Sequence, residues 1–186
     1  LPNLEYRIVL GNLLLAADIE IFFKFNLFQD LQKKKSQYFL STNKKNKEQL
    51  KKEISSLIVE ILGNDGLFDF RVFFSEVVID RNGFDIMIGN PPYVDSEIMT
   101  KIMPEERRLL SSQFLTTRGN WDYYIPCWES SIKKLNKTGS ASLITPNKWL
   151  VTPYGKNLRE FIVGLIDSIA DFSSFRAFDQ VVAFPI

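Results

Sequence analysis

The segment Phe84-Asp85-Ile86-Met87-Ile88-Gly89-Asn90-Pro91-Pro92-Tyr93-Val94 constrains the fold of this chain more than any other. Phe84, Ile86, Met87 and Ile88 form a short apolar run, which predicts a buried parallel strand. Gly89 allows close backbone approach where that run ends. Pro91 and Pro92 then fix φ and lack an N–H, so the chain leaves the strand in a stiff turn. Each proline also keeps the residue before it extended. A turn of this kind lies at the carboxyl end of a strand, where open α/β sheets bind their ligands.

The residue types in the turn are suited to holding a planar amine or amide nitrogen while a methyl group is transferred to it. Such a nitrogen is a poor nucleophile because its lone pair is delocalised. Two acceptors placed against its N–H bonds localise that lone pair. The Asn90 side-chain oxygen supplies one acceptor and the Pro91 carbonyl the other. Pro92 completes the stiff turn, and the Tyr93 ring offers a stacking face for a base, worth roughly 1–3 kcal/mol. Acceptors fixed in advance act on charge that develops only in the transition state.

With these residues in view, the chain resembles the amino-methyltransferases that use S-adenosylmethionine. It is most similar to the adenine-specific (N6) DNA methylases of type II restriction–modification systems, including those that carry a nuclease in the same polypeptide. Residues 6–15, Tyr6 to Leu15, resemble the family's third cofactor-side strand and turn. Asn120-Trp121-Asp122-Tyr123-Tyr124 resembles the start of the helix after the catalytic motif. Gly139 to Leu150 resembles the next strand and loop, Tyr154 to Leu165 the following helix, and Ala177-Phe178-Asp179-Gln180 a base-stacking segment.

The resemblance implies a catalytic motif at Asn90, Pro91, Pro92 and Tyr93, with the flipped adenine stacked on Tyr93 and, on its other face, Phe178. It implies contacts to the cofactor from Asn12, Leu13 and Asn90, although the family often has Asp at the position of Asn12. It implies an α/β fold with a Rossmann-like sheet, here incomplete. The family's glycine-rich first motif is absent from the sequence, as is the acidic residue that ends its second strand. No target-recognition domain is visible. The expectation is therefore a partial methyltransferase catalytic domain over residues 1–186. Its partners would be double-stranded DNA and the missing N-terminal part and target-recognition domain of the same polypeptide. Alone, such a piece would bind the cofactor weakly.

Composition narrows the alternatives. The 186 residues suffice for one domain with a sizeable core. A formal net charge of +1 neither announces nor excludes a nucleic-acid partner. With no histidine and one cysteine, histidine acid–base catalysis and thiolate zinc clusters are excluded within these residues, and no metal is called for. The cysteine usage points to a reducing compartment, and the resemblance implies a bacterial cytoplasm. No apolar run reaches the roughly 18–20 residues of a membrane span, so no membrane partner is expected.

Along the chain, residues 6–10 predict a short strand, and Phe22, Phe23, Phe25 and Phe28 an apolar packing cluster. A lysine-rich helical insertion is expected at about 24–66. In it, Leu50, Ile54, Leu57, Ile58 and Ile61 recur at helical spacing, and Gly63 to Gly66 end the helix. Its lysines, among them Lys33, Lys34, Lys35, Lys44, Lys45, Lys47, Lys51 and Lys52, suit either phosphate contact or a solvated surface. The alternation over residues 68–79 predicts an edge strand or irregular packing, and Asn82-Gly83 a turn. Arg107, Arg108, Arg118 and Lys148 are candidate DNA contacts, and Asp122 is expected to cap or support the site. Residues 121–135 and 154–167 predict helices, and 140–145 and 168–172 strands.

Rival readings remain open on the sequence alone. Asn-Pro-Pro-Tyr also serves protein methylases that modify a glutamine amide, and RNA amino methylation and N4-cytosine methylation share its logic. A methylase-like subunit that only binds DNA is a further alternative. Pro126-Cys127 superficially matches the nucleophile of cytosine C5 methylases, but it sits in a helical pattern and is read as a packed thiol.

Overall fold

A computed structural model describes residues 5–15, 24–63, 68–78 and 80–172. The chain divides into two compact units, Leu1–Gly83 and Phe84–Ile186.

The first unit is built on a helical hairpin. Helix α1, Phe25–Leu40, and helix α2, Lys44–Leu62, are joined by a three-residue link. Asn43 starts α2 by accepting the Asn46 N–H at 3.2 Å, and Gly63 ends it at a φ of 74°, the left-handed conformation that favours glycine. The helical stripe read from the sequence is the buried face: Leu50, Ile54, Ile58 and Ile61 pack with Phe28, Leu31, Tyr38 and Val72, and Leu57 is half-buried. Phe28 is in this core while Phe25 is exposed; Phe22 and Phe23 lie outside the described residues.

Two expectations for this unit are corrected. Residues 68–79 contain short helices α3, Phe70–Phe73, and α4, Ser75–Val78, rather than a strand. The Asp69 carboxylate accepts the Arg71 N–H at 2.7 Å and pairs with its guanidinium, and this cap decides against the alternating pattern. Residues 6–10 form no strand: the chain turns at residues 5–7, with Tyr6 at a φ of 64°, outside the range a strand allows. The lysines here are partly structural. Lys35 is buried and donates to the Val72 and Phe73 carbonyls and to Glu76; Lys34 pairs with Glu53 and Lys51 with Glu5.

In the second unit, β1, Phe84–Gly89, pairs in parallel with β2, Leu135–Leu143. Between them come α5, Ser96–Ile102, α6, Pro104–Gln113, and α7, Tyr124–Lys133. After β2 follow two short 3-10 turns, Asn147–Leu150 and Pro153–Gly155, and α8, Lys156–Ile162. The core holds Met99, Leu110, Trp121, Ile125, Trp149, Leu158 and Ile162. Register jumps from Phe84↔Leu135 to Ile86↔Ser140, so the start of β2 bulges, with Asn136 bonded to Asp85 across the step. Strand β2 begins earlier than the expected 140–145, and residues 168–172 form no strand. The apolar run of β1 is not buried throughout: Ile86 and Ile88 are 67% and 83% exposed, because β2 is its one partner among the described residues.

Candidate active site

The turn predicted at the carboxyl end of β1 is where the sequence puts it. The last ladder bond runs from Ile144 N–H to the Gly89 carbonyl at 3.1 Å, and Asn90 follows at once. At Gly89 a Cβ would lie 2.8 Å from the Leu143 side chain, so this position favours glycine. Pro91 is buried, whereas Asn90 and Pro92 are exposed. Neither the Asn90 side chain nor the Pro91 carbonyl has a hydrogen-bond partner among the described residues. The exposed Asn90 side chain can therefore accept from a donor arriving from outside.

Three attachments hold the turn after that point. The half-buried Tyr93 hydroxyl donates to the Ile144 carbonyl at 3.3 Å, tying the ring to the end of β2. Burial raises its pKa above the ordinary tyrosine value, so the hydroxyl remains a donor at neutral pH. The Val94 carbonyl accepts Tyr123 N–H at 2.9 Å, and Ser96 N–H donates to Asp122 Oδ1 at 3.1 Å. Asp95 caps α5 by accepting Ile98 N–H at 2.9 Å.

Asp122 is 7% exposed, and its second oxygen accepts from the Tyr154 hydroxyl at 2.8 Å. Tyr154 lies 3.1 Å from the buried Tyr124 hydroxyl. Burial, then the adjoining Asp122, pushes the Tyr154 phenol up to about 12, and burial with the Tyr154 hydroxyl pushes Tyr124 higher still. Sequence reasoning missed both tyrosines as part of this arrangement. The Tyr154–Asp122 contact spans 32 positions, and no local pattern signals it.

The candidate DNA contacts divide. Arg107 donates to the carbonyls of Trp121 and Gly119, both at 3.0 Å, and its guanidinium lies 4.5 Å from the centre of the Trp121 ring. It braces the loop that feeds Asp122. Arg108 is exposed and paired with Glu105. Arg118 is exposed and donates to the Ser111 carbonyl, while Lys148 is exposed on the first 3-10 turn. Glu129, also unremarked in the sequence, is fully buried. It accepts the N–H groups of Leu115 and Thr116 and pairs with Lys133, anchoring the same loop.

In the first unit, Asn12 Oδ1 accepts the N–H groups of Leu14 and Leu15 at 2.9 and 3.1 Å, closing a local turn, and Leu13 is half-buried. Phe178 lies outside the described residues. Cys127 is buried within α7, where desolvation pushes its thiol up to about 12. A neutral thiol held this way is a poor nucleophile, in keeping with a packing role. No group of His, Cys, Asp and Glu among the described residues is arranged to hold a metal ion, and no described helix is long and apolar enough to cross a membrane.

Comparison with known proteins adds sequence relationships to this geometry. The family model described as Eco57I restriction-modification methylase matches residues 7–178. The type II restriction enzyme and methyltransferase RM.Eco57I of Escherichia coli is 29% identical over 97 residues, covering 51% of this chain and 10% of that protein. The type II methyltransferase M.PaeR7I of Pseudomonas aeruginosa is 34% identical over 107 residues, 55% of this chain and 18% of the relative. The type II methyltransferase M.BanIII of Aneurinibacillus aneurinilyticus is 28% identical over 127 residues, 67% of this chain and 20% of the relative. The chain thus spans about a tenth to a fifth of the length of these relatives.

Proposed function

Because this chain belongs to the Eco57I restriction-modification methylase family, we propose that it forms part of the catalytic domain of an adenine-specific DNA methyltransferase, transferring a methyl group from S-adenosylmethionine to adenine N6. The observation that carries the reading is the Asn90–Tyr93 turn, held at the carboxyl end of β1 with the Asn90 oxygen and the Pro91 carbonyl both unengaged among the described residues. The two parallel strands are read as part of a wider Rossmann-like sheet, and the helical hairpin as an insertion in it.

The chain's own residues account for positioning and electrostatics. A target adenine flipped from the duplex, at a cost of a few kcal/mol, stacks on Tyr93. Its N6 hydrogens are taken by Asn90 Oδ1 and the Pro91 carbonyl, which directs the nitrogen lone pair outward. S-adenosylmethionine, when bound, supplies an electrophilic methyl group. Forming the N–C bond would break the methyl's bond to sulfur and leave the neutral thioether S-adenosylhomocysteine. The positive charge growing on N6 would face those two acceptors, and the excess proton would then leave to solvent. Orientation supplies much of the rate. Phe178 is proposed for the other face of the base, and Arg108, Arg118 and Lys148 for the phosphates.

For the donor, the fit of these residues is partial. Asn12 Oδ1 already accepts two backbone N–H groups, and no glycine-rich loop occurs in the sequence. Asn12 and Leu13 are therefore offered as contacts to the cofactor's adenine only, and its methionine end is assigned to residues beyond this chain.

The test is to incubate the full-length protein with S-adenosylmethionine and unmethylated duplex DNA, digest the DNA and identify the modified nucleoside. N6-methyladenine supports the reading. N4-methylcytosine would keep the site and change its base, and methylated RNA or protein glutamine in place of DNA would overturn it.

A further inference from the structure

Asp122 begins the segment leading into α7 but does not cap it. The residue at the cap position of α7 is Tyr123, which makes no side-chain cap bond, and α5 already has its cap in Asp95. The two carboxylate oxygens of Asp122 instead serve two distant segments, Ser96 N–H on one side and the Tyr154 hydroxyl on the other. A carboxylate only accepts, so Tyr154 must donate to it. The Tyr154 oxygen is then the acceptor for the Tyr124 hydroxyl, and the chain of donors runs one way, from Tyr124 through Tyr154 to Asp122. The next residue, Tyr123, holds the Val94 carbonyl. Residues 122 and 123 therefore grip positions 94 and 96, immediately after Tyr93, while Arg107 holds the Trp121 carbonyl from behind.

We propose that Asp122 is a positioning residue for methyl transfer: steered by Tyr154, it fixes the backbone that follows Tyr93 and so sets the Tyr93 ring and the Asn90 oxygen against the target base. The inference rests on the reading of Asn90–Tyr93 as the acceptor turn. It assigns Asp122 no contact with the reacting atoms.

The experiment compares Asp122→Ala, Asp122→Asn, Tyr154→Phe and Asn90→Ala in the full-length protein. It measures steady-state methyl transfer from radiolabelled S-adenosylmethionine to unmethylated plasmid DNA, with thermal denaturation of each variant alongside. A turn released by Asp122→Ala should lower kcat about 100-fold while both KM values stay within about threefold, because orientation is lost and binding is not. Asp122→Asn retains an oxygen for Ser96 N–H and should recover kcat to within about tenfold of the natural protein. Tyr154→Phe leaves the carboxylate without its far partner and should lower kcat about threefold to tenfold at constant KM. A folded Asp122→Ala protein with natural kcat, a loss confined to KM, or an Asn variant no better than the Ala variant overturns the proposal. If Asp122→Ala does not fold, Tyr154→Phe decides: reduced kcat at constant KM supports the proposal and natural kcat overturns it. Full activity in Asn90→Ala would instead overturn the reading of the turn itself, whatever the Asp122 variants show.

Discussion

Tyr93 has two separable parts, a ring that the proposed mechanism stacks on the base and a hydroxyl tied to the Ile144 carbonyl. In the full-length protein, Tyr93→Ala removes both and should lower kcat/KM for DNA by about 5- to 150-fold through the loss of roughly 1–3 kcal/mol of stacking alone. Tyr93→Phe keeps the ring and should stay within about fivefold, since a single neutral hydrogen bond contributes about 1 kcal/mol. Equal losses in the two variants, read from methyl-transfer kinetics, would count against base stacking. The Asn90–Tyr93 turn at the end of β1 was legible in the sequence because an apolar run and two prolines mark it within a few consecutive residues. The Tyr124–Tyr154–Asp122 chain was not, because it forms only when α7 and the second 3-10 turn pack together.

At the scale of elements, two features of the second unit make predictions about stability. Glu129 projects from α7 into a fully buried site. Burial pushes its pKa up, but the bonds from Lys133, Thr116 and Leu115 outweigh that and hold it below the ordinary glutamate value. A carboxylate depressed in the folded state stabilises most above its unfolded pKa, about 4.3, and that contribution is lost as pH falls through the lower folded value. The difference in melting temperature between the natural protein and Glu129→Gln should therefore be constant near neutrality and shrink below about pH 4. A difference unchanged down to pH 3 would contradict this account. Gly155 ends the second 3-10 turn, where an added Cβ would lie 2.0 Å from the Trp149 carbonyl oxygen. Gly155→Ala should destabilise by about 1–3 kcal/mol, read as a lower melting temperature, because the opposing atom is backbone and has little room to move. Elements were legible where the apolar pattern and its end signals agreed, as in α2 and β1. They were misread where one residue overrode the pattern: Asp69 caps a helix inside an alternating aromatic run, and Tyr6 turns where a strand was expected.

For the whole molecule, net charge says little about a polyanionic partner, because charge is used locally. Lys35 is buried, Lys34 and Lys51 are paired with Glu53 and Glu5, and Arg107 braces a loop. The lysine-rich character of residues 24–66 was legible in the sequence, but how much of it is spent on internal structure was not, since those partners lie far along the chain. Exposed Ile86 and Ile88 belong to a sheet that has two strands among the described residues, smaller than most that stand alone. The chain also spans only about a tenth to a fifth of the length of these relatives. The central claim, that Asn90–Tyr93 holds an adenine amine for methylation, is tested most directly by label transfer from S-adenosylmethionine to unmethylated duplex DNA, with full-length natural protein and Asn90→Ala side by side. The account predicts label recovered as N6-methyladenine, reduced about 100-fold or more by the substitution while cofactor binding and folding persist. A folded, cofactor-binding natural protein that leaves no label on DNA, or an Asn90→Ala protein that labels it equally well, would contradict it.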